Sequence, residues 1–406
     1  MSAALVQQVA TDPTVLPKTE RLVSLDVFRG ITIAGMILVN NPGSWSYVYP
    51  PLEHAKWDGW TPTDLIFPFF LFIVGIAITL SLGGRIERGA SRARMIPRIL
   101  RRAVTLFALG LCLSGFPFYH FSTIRIPGVL QRIAVCYLFA SIIFLFTSIR
   151  AQAAIATVLI AAYWMIMKLV PVPASYVEQV IAKSADPNVT DPSLYIAQNA
   201  NIAAYVDNTL LHGHLWSQTK TWDPEGLLST IPAIATALLG VLVGHWLKSS
   251  RSAKEKITGL ILGGATGIVA GEIMNVWFPI NKNLWTSSYA VFTAGMAMLF
   301  LALCYWLVDF KGYKRVAMPF VIYGMNAITV FVLSGVVARA MGLIKETTTL
   351  PDGTRTSISL WNYYYENLFT SWAGPMNGSL AFAIAFILLM FLPVWFLYRH
   401  RIFIKV

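Results

Sequence analysis

The sequence predicts an all-α polytopic membrane protein, a single bundle of about ten transmembrane helices. Its mean hydropathy is +0.62, and 56% of its 406 residues are hydrophobic. Only 12% are charged, against roughly 25% in an ordinary soluble domain. The apolar residues fall into runs close to the roughly 20 residues that a helix needs to cross a bilayer. These runs are too long for barrel strands, so helices are expected.

The ten predicted spans account for most of the chain. Little remains for a soluble domain, so residues 21–406 are expected to form one transmembrane domain. Residues 1–20 are expected to be a flexible cytoplasmic tail, because their Ser, Thr and Pro content offers no core. In order, the spans are predicted near 24–41, 61–83, 98–115, 127–147, 152–171, 226–247, 257–277, 286–308, 316–343 and 373–398.

Glycine recurs every four residues along the seventh span, at Gly259, Gly263, Gly267 and Gly271. Small residues at this spacing let two helix backbones approach closely. This face is therefore expected to pack against another helix, either within the chain or in a partner.

Basic residues alternate between the connections, as the positive-inside rule requires of cytoplasmic segments. The other connections, including the long ones at 172–225 and 344–372, are sparse in Lys and Arg and rich in Trp, Tyr, Pro and Asn. An even number of spans then puts both termini in the cytoplasm. The basic residues are Lys18 and Arg21; Arg85, Arg88, Arg92, Arg94, Arg98, Arg101 and Arg102; Arg150; Lys248, Arg251, Lys254 and Lys256; Lys311, Lys314 and Arg315; and Arg399, Arg401 and Lys405.

The net charge of +12 needs no nucleic acid to explain it, because these flanks produce most of it. They are expected to anchor the protein to lipid headgroups. Seven arginines between 85 and 102 exceed what topology alone requires. Since the guanidinium fork suits phosphate geometry, a site for a phosphorylated ligand is the alternative role of this cluster.

The segment 25–75 sets four polar residues, Asn40, His54, Asp58 and Asp64, between two spans. Polar and ionisable groups are costly at membrane depth and usually serve a cavity, a partner or chemistry. A turn followed by an interfacial aromatic belt would explain the Trp and Tyr residues here, but not the histidine and acids. A neutral imidazole can take a proton, and an amide can donate to an oxyanion. The segment therefore predicts an acyl-transfer site.

Further polar residues recur near the predicted spans. Asp26 and Arg29 are three residues apart on one helix face, which favours a structural ion pair over a catalytic one. Arg132, next to Gln131, needs either a carboxylate or a ligand phosphate or carbonyl, because an unpaired guanidinium would be expensive there. Asp223-Pro224-Glu225-Gly226 is typical of a helix N-terminus. A second outer cluster comprises Glu272, Asn275, Asn281, Lys282 and Asn283.

Signatures of soluble enzymes are absent from the sequence: there is no phosphate-binding Walker loop, no dinucleotide fingerprint and no nucleophile elbow. His212 and His214 could chelate a metal ion, but no third ligand stands near them. His-x-His alone is a weak signal, so no metal site is predicted.

Several motifs in order resemble the heparan-alpha-glucosaminide N-acetyltransferase family of transmembrane acyltransferases. They include Asn40 and, as runs, Leu25-Asp26-Val27-Phe28-Arg29-Gly30, His54-Ala55-x-Trp57-x-Gly59, Asp64-Leu65-Ile66-Phe67-Pro68-Phe69-Phe70-Leu71-Phe72, Gly128-Val129-Leu130-Gln131-Arg132, Asp223-Pro224-Glu225-Gly226-Leu227-Leu228, Asn281-Lys282-Asn283-Leu284-Trp285 and Gly324-Met325-Asn326. The lysosomal members carry a lumenal domain and an extra span before this core. The short front of this chain suggests a bacterial member in the inner membrane.

The resemblance implies transfer of an acetyl group from cytoplasmic acetyl-CoA to a glucosamine-type sugar across the membrane, and it favours a homodimer. His54 matches the family's histidine and Asn40 its loop asparagine. We hypothesise that His54 is the base or a transient acetyl carrier, that Asn40 polarises the thioester and that Asp58 or Asp64 orients the imidazole. The residues expected to bind acetyl-CoA are Arg29, Arg98, Arg101, Arg102, Gln131 and Arg132. Those expected to bind the acceptor are Asn41, Trp57, Glu225, Glu272, Asn281, Lys282 and Asn283.

Two other classes remain open from the sequence. A secondary transporter of a sugar or another small polar solute would also carry intramembrane charges, and it would show paired, broken spans in its two halves. No convincing repeat is visible. A noncatalytic scaffold or sensor would not require His54 and Asn40 together near the membrane surface.

Overall fold

The computed structural model describes residues 22–183, 197–349 and 355–404. The predicted tail 1–20 lies outside these ranges, as do Lys18, Arg21 and Lys405 of the orientation argument. The helices are α1 Val23–Asn40, α2 Ile66–Glu87, α3 Arg92–Gly115, α4 Val129–Phe146, α5 Ile149–Leu169, α6 Ala174–Lys183, α7 Ile202–Leu210, α8 Thr230–Lys248, α9 Ala253–Asn275, α10 Ser287–Cys304, α11 Met318–Met325, α12 Ala327–Leu343, α13 Leu360–Tyr364 and α14 Ser371–Arg399.

Short non-α segments join several of these helices. A 3₁₀ turn, Pro62–Leu65, leads into α2, and π-helical turns at Tyr305–Phe310 and Tyr365–Thr370 follow α10 and α13. Strands β1 Lys345–Thr349 and β2 Arg355–Ser359 pair antiparallel between α12 and α13. Neither this hairpin nor helices α6 and α7 were predicted from the sequence.

The all-α membrane architecture is confirmed, since every predicted span contains a helix. Within the described residues, eight helical segments are long and apolar enough to cross a membrane; α11 and α12, bent by 81° to each other, make a ninth when the pair is counted as one broken span. The remaining long helix, α3, begins with a strongly basic half, which keeps it below that composition. The chain is therefore an integral membrane protein.

The two ends of the bundle differ in chemistry. At one end, here called the basic end, Lys248 Nζ contacts Glu87 Oε1 at 2.6 Å, so the ends of α8 and α2 lie together. At the other, the aromatic end, the indole of Trp361 donates to the carbonyl of Gly43 at 3.1 Å. Basic connections therefore meet at one end and Trp-rich connections at the other, as the alternation along the sequence predicts.

The core contains helix pairs whose backbones touch. A Cβ built on Gly75 of α2 would lie 1.9 Å from the Ala237 carbonyl oxygen of α8, and one on Gly240 would lie 2.1 Å from that of Phe72. Helices α1 and α11 approach equally closely, because a Cβ on Gly30 would meet the Phe320 carbonyl oxygen at 1.8 Å. Only glycine permits this contact, which fixes α1 and α2 and hence the loop between them.

The glycine face of α9 packs against α10 of the same chain. A Cβ on Gly267 would lie 2.9 Å from the Gly295 Cα, and one on Gly271 would lie 2.6 Å from the Phe292 Cβ. The prediction of a close helix contact is confirmed. Of the two alternatives, a helix of the same chain or one of a partner, the structure shows the first.

Replacing Gly267 with leucine is expected to destabilise the protein by about 1–3 kcal/mol, the usual effect of overpacking a tight contact. The backbone of Gly295 faces the new side chain, so relief requires the two helices to separate. Gly263→Ala is the matched control, because its Cβ would meet only the flexible Met298 thioether at 3.3 Å. Thermal unfolding in detergent should show a lower midpoint for Gly267→Leu and little change for Gly263→Ala. Equal midpoints for both variants would contradict this packing.

Candidate active site

His54 and Asp64 form a hydrogen-bonded pair at the aromatic end. Nδ1 of His54 lies 2.6 Å from Oδ1 of Asp64. Since a carboxylate only accepts, the neutral imidazole in this contact carries its proton on Nδ1 and has its lone pair on Nε2. Asp64 is 1% exposed and His54 is 45% exposed, so a buried carboxylate orients an accessible imidazole. This is the arrangement of a general base and the residue that orients it.

Local backbone geometry fixes the buried carboxylate. Oδ2 of Asp64 accepts from the backbone amides of Ala55 and Thr61, each at 3.0 Å. The Thr61 hydroxyl lies 3.2 Å from the same oxygen but donates to the closer Glu53 carbonyl at 2.6 Å. Thr61 and Asp64 form a capping box at the start of the 3₁₀ turn before α2. The hydroxyl of Tyr289, on α10, donates to the Asp64 backbone carbonyl at 2.5 Å. One carboxyl oxygen is thus held by the turn, and the other is left for His54.

The connection between α9 and α10 docks on the His54 loop. The Gly59 amide donates to the Ile280 carbonyl at 2.7 Å, and the Asn281 side chain donates to Oδ1 of Asp58 at 3.1 Å. Gly59 has a φ of +93°, a left-handed conformation that favours glycine. Of the two predicted orienting acids, Asp64 contacts the imidazole, whereas Asp58 joins the two loops.

Lys282 reaches the imidazole from this docked connection. Its Nζ lies 3.1 Å from Nε2 and 3.2 Å from Nδ1 of His54, and 4.0 Å from Oδ1 of Asp64. The side chain is only 16% exposed, and burial lowers the pKa of its ammonium group. A partly desolvated cation therefore touches the proposed base.

A second charged group lies beside the first and centres on Arg125. Its guanidinium binds Asp223 through two hydrogen bonds, at 2.8 and 2.5 Å, and binds Oε2 of Glu225 at 2.5 Å. Burial opposes the charge on Arg125, but the two carboxylates raise its pKa overall. Glu225 was predicted to bind the acceptor; here it is one arm of this ion pair.

Asp207, on α7, holds the turn that carries these acids. It accepts from the backbone amides of Asp223 at 3.2 Å and Leu227 at 2.9 Å. Burial raises its pKa to about 6, although the two amide hydrogen bonds oppose this shift. A Cβ on Gly226 would lie 2.0 Å from the Asp207 carboxylate, so the turn closes tightly over this side chain.

Arg132 binds the same turn from the first helical turn of α4. It is 2% exposed, and its Nη2 donates to the Gly226 carbonyl at 3.0 Å and to the Ser229 hydroxyl. Its guanidinium lies over the Trp285 ring at 5.2 Å. Nε and Nη1 have no hydrogen-bond partner among the described residues. The guanidinium is thus bound by a carbonyl, a hydroxyl and an aromatic ring, and the N–H groups of Nε and Nη1 remain for a ligand.

Glu225 links the two charged groups electrostatically. Burial would raise its pKa, but Arg125, Arg132 and Lys282 together lower it. Glu225 and Asp64 in turn partly offset the effect of burial on Lys282. The His54–Asp64–Lys282 group and the Glu225–arginine group therefore interact electrostatically through Lys282 and Glu225.

The other residues predicted for catalysis or acceptor binding fall in several places. Asn40 is exposed at the end of α1 and lines a cavity of about 580 Å³ with Trp45, Arg339 and Trp361. Asn41 lines the same cavity, and its amide donates to the Ile37 carbonyl at 2.8 Å. This aromatic-end cavity is bounded by α1, α12 and α13. His54 is not among the described residues that line it.

The other residues predicted to bind the acceptor have the following surroundings. The Trp57 ring packs edge-on against Trp222 at 5.4 Å. Both groups of the Asn281 side-chain amide are hydrogen-bonded: its nitrogen donates to Asp58, and its oxygen accepts from the Leu284 backbone amide at 2.9 Å. Asn283 is half-buried beside Lys282. Glu272 is exposed on α9 and accepts from the Asn275 side chain at 3.2 Å.

Among the residues predicted to bind acetyl-CoA, two are engaged in packing. Arg29 donates to the Gly324 carbonyl at 3.2 Å and lies 3.5 Å from Asp26, as expected of a structural ion pair. Gln131 is buried where α4 meets α3, and its Oε1 lies where a Cβ on Gly110 would be. With Arg132 at the aromatic end, neither Gln131 nor Arg132 lies near the basic end.

The α3 arginines lie toward the basic end. Arg98 and Arg101 are exposed, and Arg102 lies over the Tyr137 ring at 4.7 Å. A separate basic-end cavity of about 540 Å³ is lined by Lys314, Arg399 and Arg401, with Asp26, Tyr398 and Phe403 among its other walls. The side-chain amide of Asn326 holds residues 402–404 beside this cavity: its oxygen accepts from the Ile404 backbone amide at 3.0 Å, and its nitrogen donates to the Ile402 carbonyl at 3.2 Å.

Sequence reasoning missed Arg125 and Asp207. Arg125 lies in a connection that is otherwise poor in basic residues, so its departure from the alternating pattern was the available signal. Asp207 carried no such signal, because nothing in the sequence places α7 against the turn at Asp223.

Comparisons with known proteins agree with these motifs. The family model described as "Heparan-alpha-glucosaminide N-acetyltransferase, catalytic" matches residues 21–266. The human protein named heparan-alpha-glucosaminide N-acetyltransferase is 31% identical over 77% of this chain and 52% of its own length; the mouse protein of that name is 30% identical over 77% and 53%. The chain spans about half the length of these curated relatives. It belongs to the heparan-alpha-glucosaminide N-acetyltransferase family.

Proposed function

We propose that this protein is a transmembrane acetyltransferase. It takes the acetyl group of cytoplasmic acetyl-CoA and transfers it to the amine of a glucosamine-type sugar on the extracytoplasmic side. The observation that carries the proposal is the His54–Asp64 pair, a proton-accepting imidazole oriented by a buried carboxylate, within the segment that matches the family model. Membership of an N-acetyltransferase family supports acetyl transfer as the chemistry.

In the direct route, Nε2 of His54 takes the proton of the acceptor amine while the nitrogen attacks the thioester carbonyl. The C–S bond then breaks, the acetyl group stays on nitrogen as an amide, and the sulfur leaves as the CoA thiol after gaining a proton. In the two-step route, Nε2 itself attacks the thioester carbonyl, the C–S bond breaks and the CoA thiolate leaves. The amine then attacks the acetyl-imidazole, the bond from Nε2 to the acetyl carbon breaks, and the proton lost by the amine converts the thiolate to the thiol. Both routes need the proton on Nδ1 that Asp64 holds.

Developing charge on the thioester oxygen requires donors. Asn40 is our proposed donor, because its amide is exposed at the end of α1 and lines the aromatic-end cavity. Two buried guanidinium nitrogens of Arg132 have no described partner and can bind a ligand oxygen on the same side. We assign Lys282 and Asn283 to the acceptor side as well, because they lie in the connection that docks on His54.

The donor is proposed to enter from the basic end, where the basic connections mark the cytoplasm. Exposed arginines of α3 and the cavity at Lys314, Arg399 and Arg401 offer cations for its phosphates. Asp26 at this cavity and Asn40 at the other end are fourteen residues apart on α1, or about 21 Å of helix. The long pantetheine arm suits that span. We further propose that the protein forms a homodimer and lies in a bacterial inner membrane.

Reconstituted vesicles test the function. With radiolabelled acetyl-CoA on one side of the membrane and an amino sugar on the other, label is expected on glucosamine-type acceptors. N-acetylglucosamine is the matched control, since its amine is already acylated. Absence of acetyl-CoA binding would overturn the proposal, and label on hydroxyl-bearing acceptors alone would overturn the amine assignment.

A secondary transporter is the competing function, and one observation favours it. The span formed by α11 and α12 is bent by 81° at Asn326, and broken spans are common at transporter binding sites. However, Asn326 is occupied by the backbone of the chain end. Sugar uptake into vesicles without acetyl-CoA would identify a transporter.

A further inference from the structure

The position of Lys282 relative to the His54 ring is unusual. Its Nζ is almost equidistant from the two ring nitrogens, at 3.1 and 3.2 Å. The lone pair of Nε2 points away from Nδ1 in the plane of the ring, so an atom on that lone pair would lie much farther from Nδ1. Nζ cannot lie in the ring plane at equal distance from the two nitrogens, because Cε1 and its hydrogen occupy that position. Nζ therefore lies against the face of the ring.

This geometry leaves the in-plane lone pair of Nε2 open to a substrate proton. It also places a cation where it is attracted to a neutral aromatic ring and repelled by a protonated one. The contact is built into the fold, because the Gly59–Ile280 and Asp58–Asn281 hydrogen bonds hold the Lys282 segment on the His54 loop.

We propose that Lys282 is a positioning residue that opposes protonation of His54 and so keeps the imidazole available as a base. Asp64 orients the ring but, as an anion at 2.6 Å, favours the imidazolium that would be inactive as a base. Lys282 offsets that effect. The inference rests on the proposed function only in naming His54 as the base.

Other charges near the pair do not replace Lys282. Asp64 and Lys282 are the ionisable side chains recorded in contact with His54 among the described residues. Glu225, with Arg125 and Arg132 behind it, acts on Lys282. The remaining ionisable neighbours lie on the same loop as His54, namely Glu53, Lys56 and Asp58, all exposed to solvent, which screens their charges.

The test is the titration of His54 itself, which needs no turnover. The pH dependence of diethylpyrocarbonate modification of His54, read by mass spectrometry, should show a protonation midpoint higher by about one pH unit or more in Lys282→Met. Lys282→Arg retains the cation and should titrate like wild type. Lys56→Met removes the same charge from an exposed position two residues from His54, and should shift the midpoint little.

Activity gives the second readout. For Lys282→Met the acidic limb of the pH profile of kcat/KM should move upward by the same amount, with the rates converging at alkaline pH. A His54 midpoint equal in wild type and Lys282→Met would overturn the inference. So would an equal loss of rate at every pH with that midpoint unchanged, which marks a purely structural lysine. Loss of the proposed acetyl transfer in wild type would instead leave the titration result intact.

Discussion

Replacing His54 with alanine is expected to lower kcat for acetyl transfer by about 10²–10⁴-fold, the contribution of a positioned general base. If the histidine also carries the acetyl group, the remaining rate should fall below detection. The measurement is transfer of label from acetyl-CoA to glucosamine by the purified protein in lipid.

The variant should still fold, because His54 is half exposed and Asp64 keeps its two backbone amide donors, Ala55 and Thr61. Acetyl-CoA binding, measured by equilibrium dialysis, should change little. His212→Ala is the matched control: His212 is an exposed histidine whose Nδ1 faces Asn208 at 3.2 Å. Retained turnover in His54→Ala would remove this residue from the mechanism.

The same protein can separate the two routes. Incubation with labelled acetyl-CoA alone should leave label on His54 if the acetyl group passes through the imidazole, and none if the amine attacks directly. Label on His54 that transfers to added glucosamine would show the two-step route, whereas label that does not transfer would show a side reaction.

The helices were predictable because apolar runs of bilayer length have few alternatives. All ten predicted spans hold helices, and the glycine spacing of α9 correctly predicted a close helix contact. The alternation of basic connections also predicted that the His54 loop and the connection carrying Lys282 lie at the same end of the bundle. Topology thus predicted that these segments share an end, and the structure adds that Lys282 touches His54.

The rest of the site depended on contacts between residues far apart in the chain. Arg125 binds Asp223 across 98 residues, and Arg132 finds Gly226 across 94. A guanidinium in a predicted span indicates that a partner is needed, but the sequence does not identify that partner. Asn40 shows the same limit: the sequence placed it on the same segment as His54, and the structure adds that it lines the cavity beside α12.

Replacing Asp64 with asparagine is expected to lower kcat by about 10²–10⁴-fold without unfolding the protein. The reason lies in the two backbone amides, of Ala55 and Thr61, that donate to Oδ2. In the variant, the amide oxygen must take this position, because an amide nitrogen there would face the N–H groups of two backbone amides. The amide nitrogen then points at Nδ1 of His54 and donates to it. That moves the imidazole proton to Nε2, so the nitrogen that should accept the substrate proton is already protonated; loss of the correct tautomer costs about 10⁴-fold in serine proteases.

Asp58→Asn is the matched control, since it is isosteric, removes the same charge and lies on the same loop. Asp58 accepts from the Asn281 side chain at 3.1 Å, and an amide oxygen can accept the same hydrogen bond. Its kcat should therefore stay within about tenfold of wild type. Similar rates for both variants would mean that Asp64 supports the turn rather than the imidazole. A large loss in Asp64→Asn alone would instead identify the tautomer of His54 as the feature that this buried carboxylate maintains.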